Sequence, residues 1–124
     1  MNVVDSSAWL EYFANGPNSG EFALVIEKTS DLIVPALTLY EVFKRILQQR
    51  DEGAALSAIA AMEQGTVVDL DARLALMAAR ISLDLQLPLA DSVILATARA
   101  HEAVLWTQGA DFKGMPGVEY RGAK

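Results

Sequence analysis

Four acidic residues stand at the ends of apolar segments, where a carboxylate is difficult to accommodate without a partner. They are Asp5, Glu41, Asp91 and Asp111. Placing a carboxylate beside a hydrophobic core is costly unless the group is paired, hydrogen-bonded or bound to a cation. If the four side chains converge in space, a divalent metal ion is the simplest partner for all of them. The positions of these acids therefore suggest a carboxylate metal centre.

Each acid also has an ordinary structural interpretation. Asp5 and Asp91 each stand at the start of a predicted helix, where an aspartate can cap the free N–H groups. Asp111 lies in a glycine-rich stretch of the kind in which aspartate often occupies turns. Glu41 lies opposite the apolar stripe of its predicted helix, which indicates a solvent-exposed side chain. Asp91 instead falls on the apolar stripe of its helix, near Ala98, and this phase favours a ligand over a surface residue.

The composition narrows the possible classes of site. The chain of 124 residues has the length of one domain, spanning residues 1–124, and its hydrophobic content of 52% is ample for a core. It contains no cysteine and one histidine, His101, which excludes thiolate sites and argues against a zinc site or a Ser-His-Asp triad. The beginning of the chain lacks the features of a secretory signal, and no apolar run is long enough to span a membrane. We therefore expect a cytoplasmic protein without a membrane segment.

The formal net charge of −6 argues against nucleic-acid binding through a broad basic surface. It does not exclude a nuclease, because bound divalent cations would offset part of the charge and attract phosphate. The surplus of negative charge also suits a basic protein partner.

Short apolar runs alternate with helical patterns along the chain. Strands are predicted at residues 2–4, 32–34, 66–68, 104–106 and 117–120. Helices are predicted from residue 6 or 7 to residue 13, and at 21–28, 38–49, 54–63, 71–85 and 91–102. This order predicts an α/β fold with three layers, in which helices cover both faces of a short central parallel sheet. Ligand sites of such folds lie beyond the carboxyl ends of the strands, where Asp5 and the segment 107–111 are expected.

Four segments resemble the acidic motifs of a known family. They are VVDSSAW at 3–9, VPALTLYEV at 34–42, LPLADSVILA at 87–96 and LWTQGADF at 105–112. In order, spacing and total length they are similar to the motifs of PIN domains, and in particular to those of VapC-like toxins, along the whole chain. Each motif is weak alone, but four in order in so short a chain are specific.

The resemblance implies a metal-dependent endoribonuclease, the toxin of a type II toxin–antitoxin pair, which hydrolyses phosphodiester bonds in RNA. It implies that Asp5, Glu41, Asp91 and Asp111 are the catalytic and metal-binding residues, and for Glu41 it overrides the helical phase. Hard oxygen ligands without cysteine or histidine select Mg²⁺ or Mn²⁺. Two hydroxyls are candidates for holding the Asp5 carboxylate or contacting phosphate: those of Ser7 and Thr107.

One position departs from the family pattern. Gly109 stands where the fourth motif of many relatives has its first acid. This leaves open whether the site holds one metal ion or two, and Asp111 could bind through water. The alternative function is a catalytically weakened PIN-like binding module. A phosphatase of the Asp-x-Asp type is disfavoured because Ser7 occupies the position of its second aspartate.

The resemblance also implies partners. A short basic antitoxin is expected to wrap the protein and block the metal site. An apolar groove for it is predicted beside the helix junction at 50–53, formed by Tyr40, Phe43, Ile46 and Leu47, unless these residues all belong to the core. We further expect a homodimer, because the helices are richer in apolar residues than one small core requires.

Overall fold

The computed structural model describes all residues from Met1 to Lys124 and contains one five-stranded parallel sheet. The strands lie in the order β3-β2-β1-β4-β5. They are β1 (Asn2–Val4), β2 (Leu32–Pro35), β3 (Thr66–Val68), β4 (Val104–Thr107) and β5 (Val118–Tyr120). The three central strands are largely buried and the outer strand β3 is mostly exposed. Apart from Asn2 and Thr107 at their ends, the central strands are runs of apolar residues without polar alternation, as expected for a sheet covered on both faces.

Six helices cover the two faces of the sheet. They are α1 (Ser6–Phe13), α2 (Ser19–Ile26), α3 (Ala36–Gln49), α4 (Glu52–Met62), α5 (Ala72–Leu85) and α6 (Leu89–Ala100). One hydrophobic cluster joins the sheet to α5 and α6, and a second joins it to α1 through α4. The predicted three-layer α/β/α architecture is thus confirmed.

The strand register brings the ends of the central strands to one edge. Val4 of β1 lies beside Trp106 of β4, and Asp5 continues the ladder by donating its N–H to the Trp106 carbonyl at 3.0 Å. Asp5 and Thr107 therefore leave the sheet side by side. Since β2 is also parallel to β1, the start of α3 follows at the same edge.

All predicted strands and helices occur, with shifted ends. The helix α6 begins at Leu89 after Pro88, so Asp91 lies inside its first turn and is not its cap. Pro35 belongs to β2 and directly precedes α3, because a proline can end a strand and occupy the position before a helix. No single helix has the length and hydropathy of a membrane span; α5 and α6 reach these values only together, across a bend of 115°.

Candidate metal centre

Asp5 is the most buried of the four acids at the sheet edge. Its side chain is 4% exposed. One carboxylate oxygen accepts hydrogen bonds from the Ser7 hydroxyl at 2.6 Å and from the Ala8 N–H at 3.2 Å. The other oxygen accepts the Thr107 hydroxyl at 2.6 Å. The carboxylate is therefore fixed in orientation by two neighbouring elements, α1 and β4.

Capping does not account fully for Asp5. The residue is the N-cap of α1, which confirms the structural interpretation that the sequence offered for it. A cap is ordinarily solvated, whereas burial raises the pKa of this carboxyl, against the opposing effect of the hydrogen bonds from Ser7, Thr107 and Ala8. A buried carboxylate held by neutral donors remains a strong site for a cation.

Glu41 faces the same edge from the second turn of α3. Its carboxylate accepts a hydrogen bond from the Ser6 hydroxyl at 2.6 Å, and its side chain is half-buried. The helical phase had predicted a solvent-exposed side chain for Glu41. That prediction was wrong, because α1 packs across this side of α3. The position agrees instead with the expectation from the family resemblance.

Asp91 is the acid most strongly affected by its neighbours. Burial raises the pKa of its carboxyl from 3.8 to about 7, with a hydrogen-bonding contact to Asp111 as the second cause. The negative charges of Asp5, Asp111 and Glu41 add to the shift. All four predicted acids therefore lie close enough to interact electrostatically at one edge of the sheet.

The fourth motif contributes an exposed acid, Asp111, and a glycine, Gly109, that lies close to Asp5. Asp111 lies in a 3-10 turn spanning Ala110–Phe112 and is exposed, although it contacts Asp91. A Cβ atom at Gly109 would lie 3.8 Å from an Asp5 carboxylate oxygen and 3.2 Å from the Thr107 hydroxyl. Position 109 therefore adjoins Asp5 and Thr107, and as a glycine it contributes no side-chain oxygen to the centre.

The four acids have no cationic partner within the protein. Both ion pairs in the structure are formed by Arg121, with Glu21 and Glu119. In the observed side-chain conformations no three acidic groups meet as a complete ligand set for a metal ion. The oxygens of Asp5 and Glu41 are turned toward hydroxyls, which are the remaining partners available to them.

The donor set nevertheless fits a hard divalent cation. Four carboxylates of like charge interact at a single edge without a counter-ion, and burial raises the pKa of two of them, Asp5 and Asp91. Carboxylate oxygens are the ligands that Mg²⁺ and Mn²⁺ prefer, and Mg²⁺ is commonly held by only one or two of them together with water. Asp5, Glu41 and Asp91 would hold the ion, with Asp111 at the exposed side.

Sequence reasoning did not assign three polar residues to the site. Ser6 binds Glu41, Gln108 donates its backbone N–H to the Ser7 hydroxyl at 3.0 Å, and Asn18 binds the Gln108 side chain at 2.6 Å. Ser6 and Gln108 are sequence neighbours of predicted site residues, and this proximity was the only indication in the sequence that they belong to the site. There was no such indication for Asn18, because the two partners in its contact with Gln108 are 90 positions apart in the chain.

Comparison with protein families gives a match over nearly the whole chain. The family model for the PIN domain matches residues 3–118. No curated protein sequence matches the chain significantly.

Several solved structures share the fold at low sequence identity. A chain of a toxin–antitoxin complex from Klebsiella pneumoniae has a TM-score of 0.84 at 21% identity, with 100% of both chains covered. VapC20 from Mycobacterium tuberculosis, described as a sarcin–ricin loop cleaving toxin, has a TM-score of 0.80 at 18% identity, covering 98% of this chain and 99% of that one. A chain of VapBC2 from Rickettsia felis, bound to promoter DNA, has a TM-score of 0.75 at 13% identity, covering 99% and 98%.

Replacing Asp91 with asparagine tests the repulsion among the acids. Since the folded-state pKa of Asp91 lies above its ordinary value, ionisation destabilises the folded state as the pH rises from about 4 to about 7. In metal-free buffer, D91N should raise the free energy of unfolding by about 1–2 kcal/mol near pH 8, after allowance for solvent screening. Near pH 3.5 it should have almost no effect. Urea denaturation at both pH values measures the difference.

The control for this experiment is D31N, which neutralises an exposed aspartate at the opposite edge of the sheet. It should leave the unfolding free energy nearly unchanged at both pH values. A D91N protein no more stable than wild type near pH 8 would show that the four acids do not repel one another in the folded state.

Proposed function

The chain belongs to the PIN-domain family, and we propose that it is a metal-dependent endoribonuclease that acts as the toxin of a type II toxin–antitoxin pair. The observation that carries the proposal is the convergence of Asp5, Glu41, Asp91 and Asp111 at the carboxyl edge of the sheet without a cationic partner. The fold shared with toxins such as VapC20 supports it.

The protein supplies the ligands and their positions. Asp5 is the central ligand, because the Ser7 and Thr107 hydroxyls hold its two oxygens in place. Glu41 and Asp91 approach from α3 and α6, and Asp111 orients water at the exposed side. When bound, Mg²⁺ or Mn²⁺ supplies the positive charge that activates water for attack on phosphorus and stabilises the leaving oxygen.

No organic general base stands beside the acids. The only histidine, His101, lies at the end of α6 with its ring bonded to the Thr97 carbonyl at 2.9 Å, away from the first turn that carries Asp91. Hydrolysis that relies on the carboxylate-bound cation fits this arrangement.

The alternative is a catalytically weakened PIN-like module that binds without cutting. Gly109 favours it, because the position faces Asp5 and provides no ligand. The grouping of Asp5 with three further acids favours the enzyme, since capping α1 explains Asp5 alone and not Glu41, Asp91 and Asp111 beside it.

A basic antitoxin is the proposed protein partner. Two of the four residues assigned to its groove are exposed on α3, Tyr40 by 60% and Leu47 by 44%. Ile46 is buried and Phe43 is partly buried against the core, so these two do not form a free surface. The binding surface for the antitoxin on α3 is therefore narrower than the sequence predicted, and the acidic centre would receive its basic side chains.

We expect D5N and D91N to abolish RNA cleavage while remaining folded. Asparagine can still cap α1, but it removes the charge that binds the cation. D111A should lose about one to two decades of activity, because an exposed residue that orients water contributes less than a direct ligand. Cleavage of labelled RNA with Mg²⁺ or Mn²⁺ by the purified proteins measures all three effects.

The matched control is D31N, which should cut RNA like the wild type. Full activity of D5N would contradict the mechanism. An inactive wild-type protein that still binds RNA tightly would favour the binding module. Equal losses for D111A and D5N would make Asp111 a direct ligand.

We also propose that the protein forms a homodimer through α5. Leu76 and Leu83, two turns apart on this helix, are 75% and 81% exposed, and Leu89 at the start of α6 is 71% exposed. A depression of about 780 Å³ between α5 and α6 is lined largely by apolar side chains, among them Leu83 and Leu89. Continuous apolar surface of this kind is unusual on a monomer, and a two-fold contact would bury it on both copies.

Light scattering at micromolar concentration should give about twice the chain mass for the wild type. L76E/L83E should be monomeric, because a dimer would bury four unpaired carboxylates. L24E is the control, since Leu24 is 71% exposed on α2 and lies outside this surface. A monomeric wild-type protein, or a dimeric L76E/L83E variant, would contradict the proposed α5 interface.

A further inference from the structure

A polar groove leads away from the acidic centre between α1 and α3. It has a volume of about 330 Å³, and we call it the α1–α3 groove. Its lining includes Ser7, Leu10, Arg45, Gln49, Arg50 and Gln108. A second depression of about 340 Å³, which contains Ser6 and Glu41, shares Leu10 and Arg45 with it. The groove is therefore continuous with the residues that surround Asp5 and Glu41.

Two arginines give the α1–α3 groove its positive charge. Arg45 and Arg50 are exposed, line the groove and take part in neither ion pair of the structure. Arg45 lies one helical turn beyond Glu41, so both side chains project from the same side of α3. In a protein with 16 acidic and 10 basic residues, two arginines that face one groove mark a surface suited to anions.

Gln108 presents a donor at the inner end of the groove. The Asn18 amide nitrogen donates both to the Gly122 carbonyl at 3.0 Å and to the Gln108 side-chain oxygen at 2.6 Å. The carbonyl of Gly122 fixes the orientation of the Asn18 amide, and Asn18 in turn fixes that of Gln108. The amide NH₂ group of Gln108 is left free to donate.

One acid, Glu11, also lies in the groove. Its carboxylate accepts the N–H of Asn18 at 2.8 Å and packs against Gly16 in the turn after α1. The groove keeps a net positive charge, because its two arginines outnumber this one acid.

We propose that the α1–α3 groove binds backbone phosphates of a single-stranded RNA on one side of the scissile bond. Arg45 and Arg50 contact phosphates, and the Gln108 amide donates to a phosphate or sugar oxygen next to the metal centre. The inference rests on the proposed ribonuclease function and names the path of its substrate. Arg45 and Arg50 suit the phosphates of RNA, whereas the basic side chains proposed for the antitoxin suit the acidic centre itself.

The test compares R45Q/R50Q with R73Q/R99Q, which removes the same charge from exposed positions on α5 and α6 outside the groove. For binding, both pairs are introduced into D91N protein, so that RNA is not cut. Fluorescence anisotropy with a labelled oligouridylate and Mg²⁺ gives the dissociation constant at several salt concentrations. For cleavage, both pairs are introduced into the wild-type chain and KM and kcat are measured.

R45Q/R50Q should bind the oligouridylate at least about tenfold more weakly than the control and reduce the slope of log K against log salt by about 1.4, which is the value for two lost phosphate contacts on a single strand. In cleavage it should raise KM with little change in kcat, because contacts remote from the cut contribute equally to substrate and transition state.

Active wild-type enzyme together with unchanged binding by R45Q/R50Q would overturn the groove assignment and leave the ribonuclease function in place. A wild-type protein that neither cuts nor binds RNA would remove both proposals.

Discussion

The buried carboxylate of Asp5 is the interaction on which the rest of the site depends. It follows the central strand β1, caps α1 through the Ala8 N–H and accepts the hydroxyl of Thr107 at the end of β4. These bonds tie two elements of the fold to one group. They also define the point toward which Glu41 and Asp91 are directed by α3 and α6. Changing the strand register by one residue would move Asp5 away from Thr107 and disperse the cluster.

Acidic and basic residues lie in two separate places, one suited to binding a cation and the other to binding phosphates. At the sheet edge, carboxylates concentrate negative charge beside the core, which is destabilising without a cation and favourable with one. Along α3, Arg45 and Arg50 provide positive charge where the centre provides none. A phosphodiester has to meet both environments, because its reacting phosphate needs the cation and its neighbouring phosphates need basic side chains. The net charge of −6 therefore does not exclude RNA binding, because the local arrangement of charged residues determines which ligand can bind.

The order of strands and helices could be predicted because each strand is a short apolar run and each helix has a clear break. The positions of Asp5 and Asp91 near the core were also accessible, since both adjoin buried segments. The environment of Glu41 was not accessible from periodicity, because one helix's apolar stripe contains no information about Ser6 on another. The same limitation applies to the apolar groove that the sequence predicted for the antitoxin. Phe43 faces the core and Tyr40 faces solvent, and only packing distinguishes the two side chains.

The central claim is that Asp5, Glu41 and Asp91 are the ligands of a divalent cation. A crystal structure of the protein soaked with Mn²⁺, with anomalous diffraction collected to locate the ion, tests it most directly. The account predicts an anomalous peak at the carboxyl edge of the sheet, about 2.1 Å from oxygens of these side chains, with Asp111 near it directly or through water. Well-ordered carboxylates with no peak between them, or a peak bound elsewhere on the molecule, would contradict the account.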